Sequence, residues 1–417
     1  MKKLILVIIT VCLAVALLLS GGCAKAPAPS PAPTPTPAPT PPPTPELAPY
    51  VVGFSLDVSG LRAEVGIPEK RGAVIALDEI NAAGGVNGRQ LQAVFYDHAG
   101  DPAKAVKNTK RLIEVDKVIA LLGYEGVDIT FASIATAIEA KTLLFSGGPA
   151  VVTGAPTKEW LFTVVPDQKI ASVPILIQNL LDRGCSNVAY IRTDTAYGAL
   201  GLAAVEWSCE KLGITPTIIE KYAPDTIDFS PQLSHIKASA ADGLLITGNV
   251  PDTVKVLKTA SDLGIDYPIV SDYAIVGPEF IDLGGEYVEG IVSTTLRTLV
   301  APDLPETDIQ KLVCTELYNQ YTEQYGPFSL YAGHGWDQVH MIARALGKVD
   351  PKLDPTKDDD LAKIRAQLRD NLEGITGFVG QNGVFNYSAT DHIGLVAGCY
   401  VPVVVDNGEW RLYKGAD

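Results

Sequence analysis

From Tyr50 onward, short unbroken apolar runs alternate with helix-length segments, and the alternation occurs in two successive series. A continuous apolar run is what a strand becomes when helices cover both faces of a parallel sheet, because no face is left for polar residues. The first series reads as strands at 50–56, 91–96, 117–122 and 142–146. Helices fall between them at 68–82, from Asp101-Pro102 to 115, and at 128–139. Gly84-Gly85 stops the first helix, and proline after an acidic cap starts the second. The second series has strands at 188–191, 217–222, 243–247 and 269–270, with helices at 197–212, 229–240 and 252–263. Two βαβ series imply an α/β fold with two open, doubly wound sheets. Residues 162–167 lie between the series and form the first candidate crossover. The less regular C-terminal part, a strand at 291–296, three helices and a β-rich end, makes no third unit and is expected to complete both lobes.

The residues before Tyr50 do not belong to that pattern. Lys2 and Lys3 precede an apolar run from Leu4 to Leu19, then Ser20-Gly21-Gly22 and Cys23. Residues 1–22 therefore read as a signal peptide. Residues 24–49 hold 12 of the 30 prolines, alternating with Ala and Thr. Proline has a fixed φ and no amide hydrogen, so this segment can neither pair nor pack, and as an extended stalk it reaches about 75 Å.

The net charge of −15 disfavours a nucleic-acid partner, which needs a basic face. No phosphate-binding glycine loop, no GxSxG elbow and no metal-spaced Cys or His pair is present, so neither catalysis, a cofactor nor a metal site is expected. Cys185, Cys209, Cys314 and Cys399 remain beyond the stalk. Export permits disulfides, Cys185 with Cys209 being one possible pair, and free buried thiols are the alternative.

Several phrases in fixed order carry a resemblance. They are Gly53-Phe-Ser-Leu-Asp-Val-Ser59-Gly60, Gly66, the stretch from Ala76 to Gly88, Asp97, Asp101-Pro-Ala-Lys-Ala-Val106 and Asp116 through Gly123. Asp194-Thr-Ala-Tyr-Gly198, Asp228-Phe-Ser230 and Gly290 follow. This set resembles the leucine/isoleucine/valine-binding protein family over roughly residues 50–405, and Cys23 after Gly-Gly resembles a bacterial lipobox. The resemblance implies a type I periplasmic-binding-protein fold: two Rossmann-like lobes joined by three crossing segments, placed near 163–168, 293–298 and 385–390. One lobe is then 50–165 plus 296–386, the other 166–294 plus 387–417. It also implies the extracytoplasmic receptor of an ABC importer, a monomer held to the membrane by a lipid on Cys23. Its partners are a small organic solute and permease and ATPase subunits. A sensor module that reports the solute to a signalling partner is the alternative.

In open α/β sheets, ligands sit beyond the carboxyl ends of the strands. The loops there are 57–66, 123–128 and 146–151 in the first lobe, and 192–197, 248–251 and 271–275 in the second. The candidate solute contacts on them are Ser59, Gly60, Tyr124, Glu125, Gly147, Gly148, Tyr197, Asn249, Asp272 and Tyr273. By resemblance, Tyr197 occupies the place of an aromatic that the family sets against the ligand. Amino-acid-binding relatives hold the carboxylate with hydroxyls where this chain has Val127 and Ala150, and the ammonium with an acid where it has Tyr273. The implied solute is accordingly amino-acid-like, an organic or aromatic acid, or an amide, with the tyrosines suited to an amphipathic molecule.

Overall fold

The computed structural model describes residues 47–148, 159–167, 169 and 171–415. The signal peptide, Cys23, nearly all of the stalk, Ala150 and the tip of the 146–151 loop lie outside the described residues. Among those described, strands β1 (Tyr50–Leu56), β2 (Leu91–Asp97), β3 (Ala120–Gly123), β4 (Leu143–Ser146) and β5 (Leu161–Thr163) form a parallel sheet in the order β2-β1-β3-β4-β5. Strands β6 (Val188–Thr193), β7 (Ile218–Tyr222), β8 (Gly243–Thr247), β9 (Ile269–Ser271) and β10 (Val292–Leu296) repeat this order as β7-β6-β8-β9-β10. The chain order thus reverses between β1 and β3 in one sheet and between β6 and β8 in the other. Such switch points open a crevice at the strand ends.

Helices α1 (Ala63–Ala82), α2 (Pro102–Glu114) and α3 (Val127–Glu139) connect the first strands. Helices α4 (Val173–Asp182), α5 (Ala196–Leu212), α6 (Ser230–Ala238), α7 (Val250–Asp262) and α8 (Pro278–Gly284) serve the second sheet. Local chemistry sets their limits. Asp101, Thr195 and Asn249 accept N–H groups of the first turns of α2, α5 and α7, and Gly213 ends α5 at a φ of 69°. Helix α1 starts earlier than the expected residue 68, because Pro68 lies within it. Its first turn is already closed by Val65 and Gly66 N–H bonds to the Arg62 carbonyl.

Helices α9 (Lys311–Tyr325), α10 (Ala332–Leu346) and α11 (Asp358–Glu373) follow β10, and α10 packs against α1. A Cβ on Gly72 would collide with the Ala332 carbonyl oxygen, and one on Gly335 with the Glu69 carbonyl oxygen. The two helix backbones therefore touch where these glycines face each other. The chain then makes the short pair β11 (Phe378–Val379) and β12 (Val384–Phe385), and returns to the second sheet as β13 (Tyr400–Asp406) and β14 (Glu409–Leu412). These last two strands are antiparallel, joined by Asn407-Gly408, both at positive φ as a tight hairpin requires.

The connecting segments meet at a polar node. Asp337 of α10 accepts the N–H groups of Gln381 (2.7 Å) and Asn382 (2.8 Å). From there Gln381 accepts the Thr298 hydroxyl (2.7 Å), beyond β10, and the Asn382 amide donates to the Val164 carbonyl (3.1 Å), beyond β5. Tyr387 adds a hydroxyl bond to the Thr163 carbonyl (2.8 Å). All four cysteines are free and buried, which resolves the open disulfide question in favour of thiols. Burial pushes Cys209 and Cys399 up to about 11.

Candidate functional site

The sheet order puts the loops after β1 and β3, and those after β6 and β8, at the crevices. In the first lobe the loop after β1 is self-contained. Buried Asp57 accepts the N–H groups of Gly60 (2.6 Å) and Arg62 (3.0 Å), and the Ser59 hydroxyl donates to Asp97. The Gly60 amide is therefore already used. Tyr124 holds a φ of 59° and turns inward, its hydroxyl 2.8 Å from Thr109 within the core. Glu125 is also buried, where it accepts the Asp57 N–H and lies 3.4 Å from His98 Nε2. Gly147 donates to the Gly123 carbonyl (2.6 Å), and Gly148 to Ser146 Oγ (2.9 Å). A Cβ on Gly147 would press on the buried Glu69 carboxylate, which would have to shift to admit it.

Glu69 escaped sequence reasoning because it reads as one acid on an ordinary helix. It is fully buried, and neither carboxylate oxygen has a hydrogen-bond partner. Burial first, and the neighbouring Glu125 second, hold its carboxyl well above the usual range. A carboxyl raised on folding contributes stability at low pH that is lost as pH rises above the unfolded value. Glu69→Gln should thus melt above the wild type near pH 8, with the gap narrowing toward pH 5. Thermal unfolding at the two pH values checks this, and equal melting at both would remove the buried-acid assignment.

In the second lobe the structure brings Tyr197, Asp272 and Tyr273 together. Tyr197, on the first turn of α5, donates its hydroxyl to Asp272 Oδ2 at 2.9 Å. Asp272 is fully buried after β9, and also accepts the Ala274 N–H (3.3 Å). Burial pushes its carboxyl up to about 7, despite the bonds from Tyr197 and Ala274. The Tyr273 ring meets Tyr197 edge-on at 6.4 Å and Tyr400 edge-on at 5.2 Å. Asn249 stands apart, its side chain spent on capping α7.

Tyr331 and Tyr400 join this cluster and were missed. The Tyr331 hydroxyl is held far above its usual range by burial and then by Tyr273, Glu64, Asp272 and Glu279. Those groups come from both lobes: Glu64 begins α1 and Glu279 begins α8. Tyr400 opens β13, and its buried hydroxyl has no partner. No sequence pattern marks either residue, since both lie far along the chain from the rim loops and reach them only through the return of the C-terminal segments.

Two sheets with matching switch points, tied by segments that pass through one node and sharing a tyrosine cluster, define a bilobal solute-binding protein. The chain belongs to the periplasmic binding protein family, whose pattern matches residues 49–409. It is 29% identical to an amino acid binding protein of Pseudomonas aeruginosa over 60% of this chain and 67% of that one. It is 25% identical to Leu/Ile/Val-binding protein homolog 2 of Brucella abortus over 73% of this chain and 80% of the relative. Among solved structures, an extracellular ligand-binding receptor from Rhodopseudomonas palustris HaA2 superimposes with a TM-score of 0.76 at 25% identity, covering 87% of this chain and 99% of the other. The branched-chain amino acid transporter substrate binding protein LivJ from Streptococcus pneumoniae, in complex with isoleucine, shares the fold with a TM-score of 0.70 at 23% identity, covering 88% and 99%. The family resemblance and the type I fold read from the sequence are thereby established. Among the described residues no helix is long and apolar enough to cross a membrane, and no group of three or more His, Cys, Asp or Glu is placed to hold a metal.

Proposed function

We propose that the chain is the extracytoplasmic receptor of an ABC importer. It captures a small organic solute by closing its lobes, taken as 50–165 with 296–386 and 166–294 with 387–417, and delivers it to a permease. A lipid on Cys23 would hold it at the membrane, with the stalk as spacer. The observation that carries this reading is the cluster of Tyr197, Asp272, Tyr273 and Tyr331. Tyr197 on α5, Asp272 and Tyr273 just after β9, and Tyr331 just before α10 converge there, so a solute that touches them engages both lobes. Only such differential contact can shift an open–closed equilibrium.

A thermal-shift screen of amino acids, amines, acids and amides identifies a binder, since a ligand at 100 times its Kd adds about 2.7 kcal/mol to the folded state. Small-angle scattering with that binder should show compaction. Identical profiles with and without it would overturn the reading. Tyr197→Ala should weaken binding by roughly 30-fold, about 2 kcal/mol, the loss typical of a central aromatic contact. Titration calorimetry reads this.

A further inference from the structure

We propose that His392 is a proton-operated latch on the segment that leads from β12 to β13. As an imidazolium it joins the open edge of β5 to the end of α11, and on losing its proton it lets α11 go. Such a latch acts whatever the solute is, so it stands apart from the receptor reading. The segment is one of those that connect the lobes, and β5 is the last strand of its sheet. Three bonds close the edge of β5: Thr163 N–H to the His392 carbonyl (3.1 Å), the Tyr387 hydroxyl to the Thr163 carbonyl (2.8 Å), and His392 Nδ1 to the Leu161 carbonyl (2.9 Å).

The ring's two neighbours decide its protons. A carbonyl oxygen only accepts, so Nδ1 must carry a hydrogen. Nε2 lies 3.3 Å from Glu373 Oε1, the carboxylate of the last residue of α11. A neutral imidazole with its hydrogen on Nδ1 would turn a bare lone pair toward that carboxylate. Both bonds are made only when both nitrogens are protonated. Of the two groups that could hold the second proton, imidazole is ordinarily the stronger base. His98 is the counter-example within the same chain. Its Nε2 also faces a carboxylate, Glu125, at 3.4 Å, yet its Nδ1 accepts the Gly100 N–H (3.1 Å). A neutral ring with its hydrogen on Nε2 satisfies His98 completely, and no charge is needed.

The surroundings of His392 favour a cation, although the residue is buried. Its ring lies flat on Phe162, with centroids 3.7 Å apart and planes 11° from parallel. The face of an aromatic ring attracts positive charge. The end of α11 adds the negative end of a helix dipole. From β5 the ring meets Leu161 and Phe162, and from α11 it meets Glu373. Arg369, one turn earlier on α11, is engaged with Glu159 and Asp370. On the segment itself Asp391 accepts the N–H groups of Ile393 (2.9 Å) and Gly394 (3.0 Å), and its charge, like that of Asp337, acts on Tyr387. A histidine held in its charged form by an acid contributes stability at low pH that is lost as pH rises through its folded value. The latch is therefore closed at neutral pH and released in alkali.

The test is nitrogen NMR of the whole mature chain carrying labelled histidine, at pH 7 and pH 9, with amide exchange of Thr163 read in parallel. His392→Gln identifies the signal by its loss, and contact with the Phe162 ring identifies it should that variant not fold. At pH 7 both nitrogens of His392 should be protonated, and at pH 9 only Nδ1, while His98 stays neutral with its hydrogen on Nε2. Protection of the Thr163 amide, corrected for intrinsic exchange, should fall about ten-fold between the two pH values. In Glu373→Gln the new amide can donate to a bare Nε2. His392 should then be neutral at pH 7, and Thr163 protection should be the same at both pH values. Asp337 is unchanged in that variant, so its own titration cannot produce the difference. A singly protonated His392 at pH 7 in the wild type overturns the proposal, as does wild-type Thr163 protection that is equal at pH 7 and pH 9. An unchanged fall in protection in Glu373→Gln overturns it as well.

Discussion

Gly335→Ala should destabilise the protein by about 3 kcal/mol or more, although helix propensity alone favours alanine over glycine by about 1 kcal/mol. The sign reverses because the new Cβ meets the Glu69 carbonyl, part of the α1 backbone, and no side-chain rotation can relieve that contact. Either α1 moves away from α10 or the helix unwinds locally. Moving α1 also disturbs the Trp336 indole bond to Glu79 (3.0 Å) and the His340 bond to the same carboxylate (2.8 Å). Gly277 is the control. It is extended, with no atom near an added Cβ, so Gly277→Ala should stay within about 0.5 kcal/mol of the wild type. Denaturant unfolding measures both, and a neutral Gly335→Ala would show that the two helices do not touch through their backbones.

Gly335 illustrates what the sequence made legible and what it withheld. The alternation of apolar runs and helices sufficed for the two sheets, since strand period, cap residues such as Asp101 and Asn249, and stops such as Gly213 act within a few residues. The close approach of α1 and α10 depends on residues more than 250 positions apart, and a glycine in a helix does not announce its partner. The rim loops were located correctly, yet their side chains divide by direction. Tyr197 and Tyr273 enter the cluster, whereas Tyr124, a tyrosine of the same type on the same kind of loop, is turned into the core by a positive φ and a bond to Thr109. Alternation fixes where a strand ends and says nothing of the torsion of the next residue. Asn249 and Ser59 show a related effect: their polar groups serve the backbone or a nearby acid, a competing use that spacing cannot reveal.

Asp337→Ala should be as damaging as Gly335→Ala, by a different route. The carboxylate accepts two buried N–H groups, and removing it leaves both unpaired at about 1–3 kcal/mol each. Those amides belong to Gln381 and Asn382, which fix the segments beyond β5 and β10, so the loss falls on the node that joins the lobes. The unliganded variant should show a broader scattering profile as well as a lower melting temperature. The effect of pH separates this from a simple packing defect. Burial pushes the Asp337 carboxyl up to about 8, against the bonds from the two amides. A raised carboxyl contributes stability that is fully present below its unfolded value near 4 and is lost as pH climbs toward about 8. Asp337→Asn keeps one acceptor oxygen and cannot ionise. It should fall below the wild type near pH 5, and approach it near pH 8, where the wild type has lost its advantage. A constant gap between Asn and wild type across that window would show that Asp337 does not titrate there, and the node would then be held by packing around Tyr387 and Phe385 instead of by the carboxyl.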